Sequence, residues 1–202
     1  MSISTYAELK TAIGSWLERD DLTAYIPDFI RLAESRLRKK VRVRDLIQRD
    51  AITVNAIQIA LPTDILEAIE LRLLTSPVTA LQYVSPHEMT RYRRTGTGKP
   101  RYFTIHKEIE FDINPDEAYS GEIIFYEAVN LLEDTETNAL LTKHPELYLY
   151  GSLIHSAPFL LHDERIATWS GFYEGCEKMA NESSRRSMRS GPQISKAYGR
   201  GP

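Results

Sequence analysis

The chain has 202 residues and a formal charge of −3, from 25 Lys and Arg against 28 Asp and Glu. That length suits one compact domain, or one domain carrying a smaller insert, and needs no metal or disulfide to fold. The single cysteine, Cys176, excludes an internal disulfide framework and a cysteine zinc site. No apolar run approaches the roughly 18 residues of a membrane span, and the first residues lack the basic-then-apolar pattern of a secretory signal.

Charge is unevenly placed. Residues 183–202 hold Arg185, Arg186, Arg189, Lys196 and Arg200 and no Asp or Glu. Taking those five cations from 25 leaves 20 against 28 acidic residues in 1–182, a body charge of −8. A basic end on an acidic body is the pattern of an interaction tail.

In chain order, the spacing predicts a first helix over 6–17. Thr5 and Glu8 are placed as a capping box, and Tyr6, Leu9, Ile13, Trp16 and Leu17 form one apolar face. A second helix is predicted over 23–41, with Leu22, Ile26, Phe29, Ala33 and Leu37 on one face and Asp28, Arg31, Glu34 and Arg38 on the other. Pro27 falls in its first turn, and its basic last turn suits the negative helix end. Short strands are predicted at 51–54, 58–61, 68–73 and 79–84. A helix capped by Ser85 and Glu88 then runs to about Arg94. After a loop at 96–100, strands follow at 101–105, 108–112 and 122–127. Helix returns from Pro145 to about His162, with Pro158 expected to kink or split it. Asp163 is expected to cap a last helix striped by Ile166, Trp169, Tyr173, Cys176 and Ala180.

Helix-helix, strands, helix-helix is an α+β order. The expected architecture is a mainly helical bundle from the N- and C-terminal helix pairs, 1–48 and 138–184. Between them lies a small antiparallel β domain with one short helix, 49–137, and an extended basic C-terminal tail occupies 185–202.

Motifs for chemistry fail on inspection. Gly96-x-Gly98-Lys99 has the wrong glycine spacing for a phosphate loop, and Pro100 replaces the hydroxyl residue. Asp112, Asn114 and Asp116 imitate the start of a calcium loop, but Glu117 and Ile123 stand where Gly and Glu are required. His155 and His162 are separated by Pro158, and no HExxH motif occurs. Cys176 lies on an apolar stripe, as a small buried hydrophobe does. Sequence analysis therefore assigns no catalytic residue, no metal site and no cofactor.

Two features point to partners. One is the basic run Arg36, Arg38, Lys39, Lys40, Arg42, Arg44 and Arg49, whose middle members Arg38, Lys39, Lys40, Arg42 and Arg44 are candidates for subunit or partner contact. The other is the tail, where Arg185, Arg186, Arg189, Lys196 and Arg200 accompany two apolar anchors, Ile194 and Tyr198. Charge with anchors suits ordered docking in a groove. The competing readings are a nucleic-acid-binding module using 36–49 and the tail, and a wall hydrolase.

Three stretches carry a family likeness. The first is Tyr6-x-Glu8-Leu9 with Ile13, Trp16-Leu17 and Arg19-x-Asp21-Leu22. The second is Ile26-Pro27-Asp28-Phe29-Ile30-x-Leu32-Ala33-Glu34. The third is Asn138-x-Leu140-Leu141-x-Lys143-His144-Pro145-Glu146-Leu147-Tyr148-Leu149-Tyr150-Gly151. In this order the chain resembles the head-to-tail adaptor (connector) proteins of short-tailed bacteriophages. The resemblance implies a structural virion protein at the neck, assembled from host cytoplasm. It implies a dodecameric ring of neighbouring adaptor subunits under the portal protein, extending the DNA channel and holding the tail nozzle or fibre proteins. DNA would pass without sequence-specific binding, no membrane would be involved, and the C-terminal tail would dock in portal clefts.

Overall fold

The computed structural model describes residues 3–160 and 164–189. It is an α+β fold of two compact units, one formed by the described residues up to 45 and from 130 onward and the other by residues 46–129.

The first unit is helical. Helix α1, Tyr6–Leu17, starts at the Thr5–Glu8 capping box and stops at Glu18, whose left-handed backbone (φ 54°) returns its N–H to the Gly14 carbonyl. The chain then makes a 3-10 turn over Asp20–Tyr25, so helix α2 runs Ile26–Lys40 rather than starting at Thr23. The expected apolar face of α2 is buried throughout. Glu34, expected on its polar face, is also buried, because it accepts the Leu132 N–H at 2.9 Å.

That bond belongs to a short helix α4, Leu132–Thr135, which is followed by α5, Ala139–Lys143. Residues 130–137 therefore fall in the helical unit and not in the β insert. The reason is local: Leu132 is fully buried and its amide is capped from α2. Asn138 ties the next turn, accepting the Leu141 N–H at 2.8 Å and donating to the Tyr148 hydroxyl at 2.7 Å.

Helix α6, Pro145–His155, ends seven residues before the expected His162, and a 3-10 turn over Ala157–Phe159 holds Pro158. Proline has no amide to continue the ladder, so the helix is ended rather than kinked. Helix α6 packs against α1, α2 and helix α7, Arg165–Arg189. Asp163, the expected cap of α7, and His162 lie outside the described residues.

Helix α7 overturns part of the expected tail. Residues 185–189 are helical, not extended, so Arg185, Arg186 and Arg189 stand on the last turns of a helix. The apolar spacing does stop at Ala180, but Ser184 is buried and accepts the Arg44 N–H at 2.7 Å, which holds the helix in register beyond that point. Ile194, Lys196, Tyr198 and Arg200 lie outside the described residues.

The second unit is a curled seven-stranded sheet in the order β1-β7-β3-β4-β5-β6-β2. Its strands are β1 Ile47–Val54, β2 Gln58–Ala60, β3 Ile65–Leu73, β4 Thr79–Tyr83, β5 Tyr102–Ile105, β6 Glu108–Phe111 and β7 Tyr119–Glu127. Every pairing is antiparallel except β4 with β5, which runs parallel through Gln82–Tyr102 and Tyr83–Phe103. A parallel pair requires a crossover, and helix α3, Pro86–Tyr92, supplies it. Its Ser85–Glu88 capping box forms as expected. Alternating residues Leu71, Leu73, Leu81, Phe103, Ile109, Phe111, Ile123 and Phe125 fill the concave side.

Asp112 is fully buried and holds the loop after α3. One oxygen accepts the Arg101 and Tyr102 N–H groups at 3.0 and 3.2 Å; the other meets Arg94 at 2.7–2.8 Å. Asp116 accepts the Tyr119 hydroxyl at 2.7 Å, a bond that raises that phenol to about 12. The acidic turn is thus spent on its own backbone and side chains.

Candidate functional site

The basic run after α2 and the basic end of α7 are distant in sequence but adjacent in the helical unit. After Lys40 the chain leaves helix and runs along the C-terminal half of α7. Asn181 fixes it at both polar groups: its Oδ1 accepts the Arg42 N–H at 2.9 Å, and its Nδ2 donates to the Lys40 carbonyl at 3.3 Å. Two residues on, Ser184 takes the Arg44 N–H. A strand-like two-residue step therefore matches a near one-turn helical step, and Arg42 and Arg44 are held on α7 by their backbones, not their charges.

The side chains are placed accordingly. The Arg42 guanidinium turns back to the Arg38 and Val41 carbonyls, both at 2.9 Å, and so caps the end of α2. Lys40 approaches Glu177 at 3.9 Å. Lys39, Lys40, Arg44, Arg185 and Arg186 are exposed, while Arg38 and Arg42 are half-buried. Arg186 approaches Glu182 one turn back at 3.8 Å. Arg36 lies with its guanidinium 4.1 Å from the Tyr173 ring centre, a structural cation–π contact.

Lys143 forms an ion pair with Asp45 and joins the end of α5 to this segment. Between these elements is a cavity of about 260 Å³ lined by Arg44, Asp45, Lys143, His144 and the serines of α7, Ser183, Ser184 and Ser187. Glu146 is held below the ordinary carboxylate range, first by its hydrogen bond with the His144 imidazole.

The sequence marks both basic segments but not their convergence, nor Asn181, Lys143 and the serines that produce it. The signal available was the spacing of Ala180, Ser183, Ser184 and Ser187, a face of small side chains at the end of a helix.

The remaining candidates are structural. Burial, then Glu146, pushes the Cys176 thiol up, away from a reactive thiolate. Burial, then Arg36, pushes His155 down. Among the described residues no group of three or more His, Cys, Asp or Glu could hold a metal ion.

The family model of the SU10 adaptor protein matches residues 4–196, nearly the whole chain. The chain belongs to the SU10 adaptor protein family. This is a phage head-tail adaptor family, structural in role, and it places the protein at the virion neck with the portal and tail components. No curated protein matches the chain. The match runs from the start of α1 through the end of α7, so it takes in the adaptor's two basic segments together.

Proposed function

We propose that this protein is the head-to-tail adaptor that assembles as a dodecameric ring beneath the portal. The ring extends the DNA channel and gives the tail nozzle or fibres their attachment. Arg185, Arg186 and Arg189, followed by Ile194, Lys196, Tyr198 and Arg200, dock into a cleft of the portal. Arg38, Lys39, Lys40, Arg42 and Arg44 meet the portal or a neighbouring adaptor subunit. DNA passes through without sequence-specific binding, and assembly takes place in the host cytoplasm.

The observation that carries this reading is the convergence of the two basic segments on one part of the helical unit. Clustered cations steer docking to an acidic partner surface, and anchors such as Ile194 and Tyr198 supply the apolar contact that holds it. A ring closes through heterologous contacts, which need two different complementary faces on each subunit. An acidic body with a basic end meets that need.

The test is deletion of residues 190–202, which leaves Ser184 and its bond to Arg44 in place. Native mass spectrometry with the portal ring of the same phage then counts the copies added. The full chain is expected to add a complete ring, and the truncated chain to remain folded and add few or no copies. A truncated chain that loads the portal as fully as the intact one would sink the docking role of the tail.

A further inference from the structure

Cationic and hydroxyl side chains outnumber carboxylates in the lining of the cavity beside Arg44. The Arg44 guanidinium lines it without a hydrogen-bond or ion-pair partner among the described residues, since only its backbone N–H is engaged. Ser184, only 6% exposed, accepts that N–H through Oγ, so its own hydroxyl proton remains to be donated. The exposed Ser183 hydroxyl adds a second donor. Lys143 and His144 complete the lining on that side, and the one carboxylate in the lining, Asp45, is taken by Lys143.

Geometry sharpens the chemistry. The lining comes from three segments, 43–45, 143–144 and the face of α7 from Ala180 to Ser187. Small side chains on α7 leave the space, and hydroxyls line it. His144 is also the N-cap residue of α6, so the positive end of that eleven-residue helix begins at the cavity. A guanidinium fork meets carboxylate and phosphate alike, and hydroxyl donors arriving from other directions add contacts that a tetrahedral group can use.

We propose that this pocket binds a phosphoryl oxyanion, supplied by a DNA backbone or by free phosphate. Arg44, Ser183 and Ser184 are its hydrogen-bond donors. The proposal does not depend on portal docking, because the pocket lies wholly within the described residues of the helical unit.

Calorimetric titration of the full chain with sodium phosphate, at constant ionic strength, tests it. Saturable binding is expected. Arg44→Gln keeps the backbone bond to Ser184 and removes the guanidinium. Ser183→Asp places a carboxylate at an exposed position where folding is not at stake. Each is expected to weaken phosphate binding at least about tenfold with the unfolding midpoint unchanged. A short DNA duplex that displaces phosphate identifies the DNA backbone as the source; phosphate binding that duplex leaves untouched identifies free phosphate. Absence of saturable phosphate binding, or equal binding by the wild-type chain and both variants, overturns the proposal.

Discussion

Glu34 is buried on α2, and its carboxylate accepts the Leu132 N–H that begins α4. Burial raises its pKa, and the amide bond opposes that only in part. A raised folded pKa gives stability that is full below the unfolded value and is lost as pH rises through the folded one. Glu34→Gln retains an acceptor without the charge, so it is expected to stabilise the protein near neutral pH. Chemical denaturation at two pH values checks this, because the gain should vanish below the ordinary carboxylate range. Glu34→Ala strands a buried N–H instead and is expected to cost about 1–3 kcal/mol at either pH. The sequence put Glu34 on the polar face of α2 because its spacing matches Arg31 and Arg38. What buries it is a short helix 98 residues away, which leaves no periodic trace.

At the scale of elements, three glycines in helices separate packing from propensity. Gly151 sits where α2, α6 and α7 meet, and a methyl there would lie 3.2 Å from both Ala33 Cβ and Tyr173 Cε2. Gly151→Ala is therefore expected to destabilise by about 1–3 kcal/mol despite the better helix former. Gly171 and Gly175 on α7 have nothing within 4 Å of an added methyl. Alanine at either is expected to stabilise by roughly 0.5–1 kcal/mol. Thermal unfolding of the three variants gives the order directly. Elements with their own signals were legible: the Thr5–Glu8 and Ser85–Glu88 boxes set two helix starts, and Pro158 marked the break after α6. The last turns of α7 were not, because Ser184 reads as a polar linker residue until Arg44, 140 positions earlier, is laid against it. Deleting residues 184–202, which removes Ser184, is thus expected to lower the unfolding midpoint, whereas deleting 190–202 is not.

For the whole molecule, the order of helices and strands was legible, and the first crossing between the units lies at 45–46. The second crossing, at 129–130, was harder to see, since α4 is one turn long and has no side-chain cap. The parallel pairing of β4 with β5 was hidden for a different reason: period-two alternation gives the buried face of a strand but not its neighbour. The candidate site was legible as two charge clusters and illegible as one place, because charge says nothing about which backbone amides are held. The β unit has a core of its own, centred on Leu71, Phe111 and Ile123. Excised as residues 46–129, it is expected to fold cooperatively with a β-type circular dichroism spectrum. Non-cooperative unfolding of that fragment would show that it depends on the helical unit.

Ile47, where the chain enters the β unit, is the register partner of Tyr126, three residues before it leaves. Entrance and exit therefore share one doorway at the end of the β1–β7 pair. A unit attached in this way is a cassette: chain enters and leaves it side by side, about 5 Å apart across the β1–β7 pair.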